Sequence, residues 1–243
     1  MKIFILCCSR VFFHRGGYEI GINNCAVPGN SFKGVFDTYI YESLQKDYPL
    51  VIYGFVLNDF GKGDIDEIVG YSFIDFHNGG YEFDSKRMLS RAYNLICYVI
   101  DKRRLHNVTL RGYLEEFKDG KAQYNFGKLR RLNKIIRDRN GELVVVIFPF
   151  LYDFDRYPFA QVHKKISDFC KSEGIYSLDL FPAFSKYKES QLWANPTDHH
   201  PNEIAHRIAA EQLYRFLIEE GLAEKITTQS KFADGHQTVS LKN

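Results

Sequence analysis

The chain has 243 residues, which is close to the size of one large domain. Hydrophobic residues make up 45% and charged residues 26%, a balance that is typical of globular proteins and excludes a disordered chain. Lysine and arginine total 32 against 30 aspartates and glutamates, and the resulting net charge of +2 argues against a nucleic-acid-binding protein. The five cysteines include no Cys-x-x-Cys pair, which predicts free thiols in a reducing compartment rather than disulfides or a cysteine zinc site.

Short apolar runs alternate with helically spaced apolar residues along most of the chain. In chain order, the runs that predict buried strands are 3–7, 20–27, 50–57, 143–148 and 175–180. The stretches in which apolar residues follow a helical period are 32–44, 88–100, 129–136, 162–170 and 204–217. Between them, residues 60–84 are rich in glycine, aspartate and aromatic residues and predict a long surface excursion.

This order of elements predicts an α/β fold. Strands and helices that alternate about five times favour a three-layer α/β/α sandwich, with a mostly parallel central sheet of about five strands. We expect residues 1–224 to form one such domain, followed by a polar tail at 225–243. Parallel sheets place their sites at the carboxyl ends of the strands, so the residues that follow each predicted strand are the candidates for function.

The loop before the last predicted helix carries the most informative motif, because Asp198 stands two residues ahead of His200. One loop that holds both side chains suits a general base and the carboxylate that orients it. A polar start to a helix, with surface histidines, is the alternative. A metal site built from His199, His200 and His206 with Asp198 is disfavoured, since adjacent histidines point apart and the spacing does not match one helical face.

Two other strand ends carry residues that suit an oxyanion hole. Asn58 follows the run 50–57, and its side-chain amide is a donor to developing negative charge. Gly29 follows Pro28 after the run 20–27, where its backbone amide is open to close approach. Each of these features taken alone is also typical of an ordinary turn.

In combination, these motifs resemble the SGNH, or GDSL-like, hydrolase family. The resemblance covers roughly residues 19–220, and the stretches that carry it are 22–29, 56–60, 144–150, 174–184 and 193–210. It implies a flavodoxin-like α/β/α fold and ester hydrolysis through a serine acyl-enzyme, with no metal or organic cofactor. On this resemblance His200 is the base and Asp198 its partner, Gly29 and Asn58 are oxyanion donors, and Asp59 supports its loop.

The nucleophile motif of that family, Gly-Asp-Ser, is missing or altered in this chain. Cys7-Cys8-Ser9 stands at the end of the first predicted strand, so Ser9 is the candidate nucleophile. A thiol nucleophile, Cys7 or Cys8, is the less favoured reading. Only residues 10–18 remain for the crossover to the next strand, fewer than the dozen or so that parallel strands need. Either this crossover is short, or the N-terminus does not align with a true first strand, as in a truncated reading frame.

The predicted function is therefore an ester hydrolase that acts on a small-molecule or carbohydrate ester. The alternative is a catalytically impaired or N-terminally truncated relative that binds a small ester or an acylated sugar without turnover. The first eight residues combine one positive charge with a short apolar run, and no small-residue cleavage site follows. We therefore expect a cytoplasmic protein with no integral membrane segment and no nucleic-acid partner.

Overall fold

The computed structural model describes residues 2–6, 21–25, 32–44, 46–60, 74–77, 80–83, 112–118, 122–196 and 198–225. The predicted helix at 88–100 and the predicted tail beyond residue 225 lie outside these ranges. The chain divides into two compact units, one of residues 1–59 with 125–243 and the other of residues 60–124. The prediction of one domain over residues 1–224 is not tested by this division and stays a prediction.

The described strands and helices follow the predicted alternation. The strands are β1 (Lys2–Leu6), β2 (Gly21–Asn24), β3 (Leu50–Phe55), β4 (Ile74–His77), β5 (Gly80–Phe83), β6 (Glu142–Ile147), β7 (Tyr176–Asp179), β8 (Trp193–Asn195) and β9 (Asp198–Pro201). The helices are α1 (Phe32–Ser43), α2 (Gln123–Asp138), α3 (Ala160–Ser172), the single turn α4 (Phe181–Phe184) and α5 (Glu203–Glu219). A further short helical segment lies within residues 112–116.

Five strands form one parallel sheet in the order β2-β1-β3-β6-β7. The predicted α/β class with a parallel central sheet of about five strands is confirmed. Strand β1 pairs with β2 on one side and with β3 on the other, so the N-terminal segment supplies a true strand of the sheet. Residues 60–84, which predict a surface excursion, include the antiparallel hairpin of β4 and β5.

The two central strands are buried along their length because helices cover both faces of the sheet. All six residues of β3 and five of the six in β6 are buried, as continuous apolar runs predict. On one face, Leu50 and Ile52 pack in a cluster with the apolar side of α5. On the other face, the ring of Tyr53 lies 5.3 Å from that of Phe32 at the start of α1. Alternate residues of β3 thus point into two different helical layers.

The turn from α2 into β6 requires a glycine. A Cβ atom on Gly141 would lie 2.5 Å from the Tyr48 carbonyl oxygen and 2.9 Å from a methyl group of Ile136. The turn is therefore held by close approach of two backbone segments, which only a residue without a side chain allows.

We predict opposite effects for two glycine-to-alanine substitutions in this region. Gly141→Ala should lower the free energy of unfolding by about 1–3 kcal/mol, because backbone atoms must move to admit the methyl group. Gly127→Ala, at an exposed position of α2 with open space around it, should raise it by about 0.5–1 kcal/mol through helix propensity. Urea denaturation of both variants measures the difference, and a neutral Gly141→Ala would contradict the close approach.

Candidate active site

A two-stranded hairpin presents the Asp198 and His200 side chains. Strand β9 pairs antiparallel with β8, so that Asn195 lies opposite Asp198 and Trp193 opposite Pro201. Residues two apart in a strand project on the same side, and here the His200 Nδ1 atom lies 2.5 Å from the Asp198 Oδ1 atom. The same carboxylate oxygen accepts the His200 backbone N–H at 3.1 Å. The structure therefore brings together the two residues that the sequence motif pairs, on a strand where the sequence predicts a loop.

The hydrogen bonds at Asp198 define which partner accepts and which donates: the carboxylate accepts, and the His200 ring and backbone donate. The His200 ring, first, and the His200 backbone N–H both stabilise the carboxylate, which lowers the pKa of Asp198. An ionised Asp198 is an acceptor for Nδ1–H, and that leaves the lone pair of neutral His200 on Nε2, on the other side of the ring. The His200 side chain is 87% exposed. Its Nε2 atom is therefore open to a ligand, as a general base requires.

Asn202 fixes the base of the hairpin to α5. Its side-chain oxygen accepts the backbone N–H groups of Ile204 and Ala205, which makes it the N-cap of the helix. Its side-chain amide donates to the carbonyl oxygens of Gln191 and Trp193, at 2.9 and 3.1 Å. One side chain thus joins the segment before β8, β8 itself and the first turn of α5.

Trp193 fixes the other face of the hairpin. Its indole Nε1–H donates to the Leu151 carbonyl at 2.9 Å, and Leu151 lies in the loop that follows β6. The indole ring stacks on the His199 imidazole, with 4.0 Å between ring centroids and 16° between planes. His199 therefore packs against the protein while its neighbour His200 bonds to Asp198, so the two adjacent rings have different partners.

The third histidine of this region, His206, lies inside α5. Burial lowers the pKa of its imidazole, and its Nδ1 atom has no hydrogen-bond partner within the described residues. Among those residues, no group of three histidine, cysteine or acidic side chains is placed to hold a metal ion.

The residues after β3 divide into an exposed amide and a half-buried carboxylate. Asn58 is exposed in the 3-10 turn Leu57–Phe60. Asp59 turns inward, where its Oδ2 atom accepts the Tyr53 hydroxyl at 2.8 Å and the Val56 backbone N–H at 3.0 Å. Burial raises the pKa of Asp59 to about 6, and the two hydrogen bonds oppose part of that rise. Asp59 thus supports the turn from which Asn58 projects.

Asn58 and the hairpin lie at the same edge of the sheet. Strands β3 and β6 are parallel neighbours, so the turn after β3 and the loop after β6 leave from their carboxyl ends side by side. The hairpin bonds to that second loop through Trp193 and Leu151. Val56, next to the turn, and Trp193 pack against one common apolar cluster.

The other two predicted site residues, Ser9 and Gly29, lie outside the described residues. Their roles as nucleophile and oxyanion donor stay predictions. The strands that precede them are described: β1 ends at Leu6 beside β3, and β2 ends at Asn24 beside β1.

A hydrogen-bond chain centred on a buried histidine lies at this same edge, and the sequence does not predict it. His163 of α3, only 2% exposed, places its Nδ1 atom 2.8 Å from Asp179 Oδ1 and its Nε2 atom 3.0 Å from the Tyr157 hydroxyl. Asp179 is the last residue of β7, a position that the strand-end rule selects. His163 itself gave no signal, because its partners come from distant parts of the chain.

Comparisons with known proteins bear on the fold. No protein-family model matches the sequence, and no curated protein does. The crystal structure of TesA is similar with a TM-score of 0.50 at 11% sequence identity, covering 89% of this chain and 98% of that one. A point mutant of Axe2, a Geobacillus acetyl-xylooligosaccharide esterase, has a TM-score of 0.48 at 13% identity, covering 89% of this chain and 93% of that one.

Within the described residues, none of the helices has the length and apolar character needed to cross a membrane.

The parallel sheet, its helical layers and the likeness to TesA agree with one another. The chain therefore has the α/β fold with a parallel central sheet that the sequence predicts, and this fold is similar to that of TesA.

Replacing Asp59 with asparagine should raise the free energy of unfolding relative to that of the wild type, and this difference should grow as the pH rises. Burial raises the pKa of Asp59 in the folded state from 3.8 to about 6, so the folded protein holds this proton more tightly than the unfolded chain does. The stabilisation that comes from binding this proton is fully present below the unfolded-state pKa of 3.8, and it is lost as the pH rises through the folded-state pKa of about 6. Asparagine keeps an acceptor oxygen for Tyr53 and Val56 but carries no charge.

The free energy of unfolding of Asp59→Asn, relative to the wild type, should therefore increase between about pH 4 and pH 6, by at most about 3 kcal/mol. Denaturant unfolding of both proteins across this range measures the effect. A difference in the free energy of unfolding that does not change with pH would show that the fold does not raise the pKa of Asp59.

Proposed function

We propose that the protein is an ester hydrolase that works through a serine acyl-enzyme. The observation that carries the proposal is the Asp198–His200 pair at the carboxyl edge of the sheet. Its short hydrogen bond directs one ring nitrogen to the carboxylate and leaves the other open to solvent. Acyl transfer requires an oriented, exposed imidazole as its general base, and the proposal assigns Asn58 and Gly29 to it as oxyanion donors.

In the proposed reaction, Ser9 attacks the ester carbonyl carbon. Its hydroxyl proton passes to Nε2 of His200 as the Oγ–carbon bond forms, and Asp198 stabilises the imidazolium. The tetrahedral intermediate then expels the alcohol, which takes the proton back from His200. A water molecule, deprotonated by the same Nε2 atom, attacks the acyl carbon. The bond to Ser9 Oγ then breaks, Oγ takes the proton back from His200, and the carboxylic acid is released.

The proposed oxyanion hole consists of the Asn58 side-chain amide and the Gly29 backbone amide. The support for Asn58 is its exposure at the end of β3, on a turn held from inside by Asp59. A donor that is fixed before the reaction begins does not have to reorganise when the negative charge develops. The proposed substrate is a small-molecule or carbohydrate ester.

A binding protein without turnover is the second candidate function. It is favoured by one observation, the absence of the Gly-Asp-Ser motif and the presence of Cys7-Cys8-Ser9 in its place. Without a working serine, the fold would keep the Asp198–His200 pair at the sheet edge, and the loss of the nucleophile would remove nearly all the catalysis.

Fluorophosphonate labelling distinguishes the two candidates. If the protein is a serine hydrolase, the reagent should add to Ser9, as read by intact mass and peptide mapping. His200→Ala should lower the rate of labelling and of ester hydrolysis by about 10⁴-fold or more, since no base remains to take the proton. His206→Ala, in the next helix, is the matched control and should label like the wild type.

A folded wild-type protein that takes up no label, or takes it up equally well without His200, would rule out the proposed mechanism. Binding of a short-chain acyl sugar by such a protein, measured by calorimetry, would instead support the second candidate.

Asn58→Ala should lower kcat with little change in KM. The amide contacts the oxygen mainly once it becomes negatively charged, so its loss should cost about 10²–10³-fold in kcat. Steady-state hydrolysis of an aryl ester by the wild type and by this variant measures the effect. A change confined to KM would assign Asn58 to substrate binding and not to the oxyanion hole.

A further inference from the structure

In the Tyr157–His163–Asp179 chain, His163 is buried and its two partners are half-buried. With a neutral His163, the chain has one consistent arrangement of hydrogen atoms. The Phe150 backbone N–H donates to the Tyr157 oxygen at 3.1 Å, and the Tyr157 hydroxyl donates to the unprotonated Nε2 atom of a neutral His163. His163 then carries its proton on Nδ1 and donates it to Asp179 Oδ1, which also accepts the Phe181 backbone N–H at 2.9 Å. Each donor in the chain has one acceptor, so its geometry is closely defined.

Aromatic packing holds the Tyr157 ring independently of its hydroxyl group. The ring stacks on that of Phe181, with 4.2 Å between centroids and 16° between planes. The rings of Phe159 and Phe154 approach it edge-on, at 5.7 and 6.2 Å. Removal of the hydroxyl alone therefore leaves the ring in place and isolates the contribution of the hydrogen bonds.

The Tyr157–His163–Asp179 hydrogen-bond chain fixes the loop that leads from β6 to α3. It holds the loop at the Phe150 amide, and the very next residue, Leu151, is buried and offers its carbonyl to the indole of Trp193. Farther along, the Phe154 amide donates to the Glu189 carboxylate at 2.5 Å. Phe150, where the hydrogen-bond chain holds the loop, is thus the direct neighbour of Leu151, where the loop bonds to the hairpin.

From Leu151 the contacts continue to the proposed base. Trp193 stacks on His199, which lies between Asp198 and His200 in β9. A displacement of the Leu151 carbonyl therefore moves the indole, then the His199 ring, then the backbone that carries the hydrogen-bonded pair. A misplacement of a catalytic group by about 1 Å is enough to cost about 10²-fold in rate.

We infer that Tyr157, His163 and Asp179 are positioning residues, which hold the β6–α3 loop so that Trp193 and His199 align the Asp198–His200 pair. The catalytic consequence rests on the proposed function, whereas the structural consequence does not. None of the three residues needs to touch the substrate. Their effect is transmitted through the β6–α3 loop, the Leu151–Trp193 hydrogen bond and the stacking of Trp193 on His199.

Tyr157→Phe tests the inference, with Tyr48→Phe as its matched control. Tyr48 is a buried tyrosine whose hydroxyl, like that of Tyr157, is hydrogen-bonded: it accepts the Asn23 side-chain amide at 2.7 Å. Tyr48 precedes β3 at the amino edge of the sheet. Both substitutions remove one hydrogen-bonded hydroxyl group and keep the ring, so both should destabilise the fold. Only Tyr157→Phe should disturb the hairpin.

The first readout is the fluorescence of Trp193, the only tryptophan among the 243 residues. In Tyr157→Phe its emission should shift to longer wavelength as the bond to Leu151 loosens, and in Tyr48→Phe it should match the wild type. The second readout is the Nδ1 proton of His200 in a histidine-labelled NMR spectrum, which should move upfield only in Tyr157→Phe. Unchanged spectra in Tyr157→Phe would overturn the inference.

The third readout is kinetic. In an active wild-type background, Tyr157→Phe should lower kcat by about 10–10²-fold with KM unchanged, and Tyr48→Phe should leave both as in the wild type. A full kcat in Tyr157→Phe would overturn the inference. If the wild type hydrolyses no ester, the proposed function fails, and the two spectroscopic readouts still decide whether these residues position the hairpin.

Asp179→Asn provides a second variant if Tyr157→Phe does not fold. It keeps an acceptor oxygen for His163 and Phe181 but removes the charge, which weakens the hydrogen bond. The Trp193 and His200 signals should then move in the same direction as predicted above, by a smaller amount. No movement of either signal would overturn the inference.

Discussion

The hydrogen bond from the Trp193 indole to the Leu151 carbonyl joins the parallel sheet to the hairpin that carries the proposed base. The sheet brings the carboxyl ends of β3 and β6 to one edge, and Leu151 follows the second of these strands. The hairpin is short, so its position depends on this bond and on the Asn202 side chain at its base. The orientation of Asp198 and His200 follows from these two anchors.

Two aspartates near this edge differ in their ionisation because their surroundings differ. Asp198 is half-exposed and accepts hydrogen bonds from the His200 ring and backbone, which lower its pKa and keep it ionised. Asp59 is enclosed beneath the turn after β3, and burial raises its pKa to about 6. The first arrangement suits a carboxylate that orients a base, and the second suits one that braces a loop.

Much of the fold could be predicted from the sequence, because buried parallel strands read as continuous apolar runs. Residues 50–57 and 143–148 gave β3 and β6 to within two residues. The β8–β9 hairpin was predicted as a loop, since its strands are short and polar and depend on Trp193 and Asn202 for their stability. Asp198 and His200 were found because two residues share one short motif, whereas Tyr157, His163 and Asp179 come together only in the folded chain.

The crystal structure of the protein after reaction with a fluorophosphonate tests the central claim most directly. The account predicts phosphorus bonded to Ser9 Oγ, one phosphonate oxygen within hydrogen-bond distance of the Asn58 amide, and His200 Nε2 facing Oγ while Nδ1 still bonds to Asp198. An adduct on another residue, or a phosphonate bound away from Asn58 and His200, would contradict it.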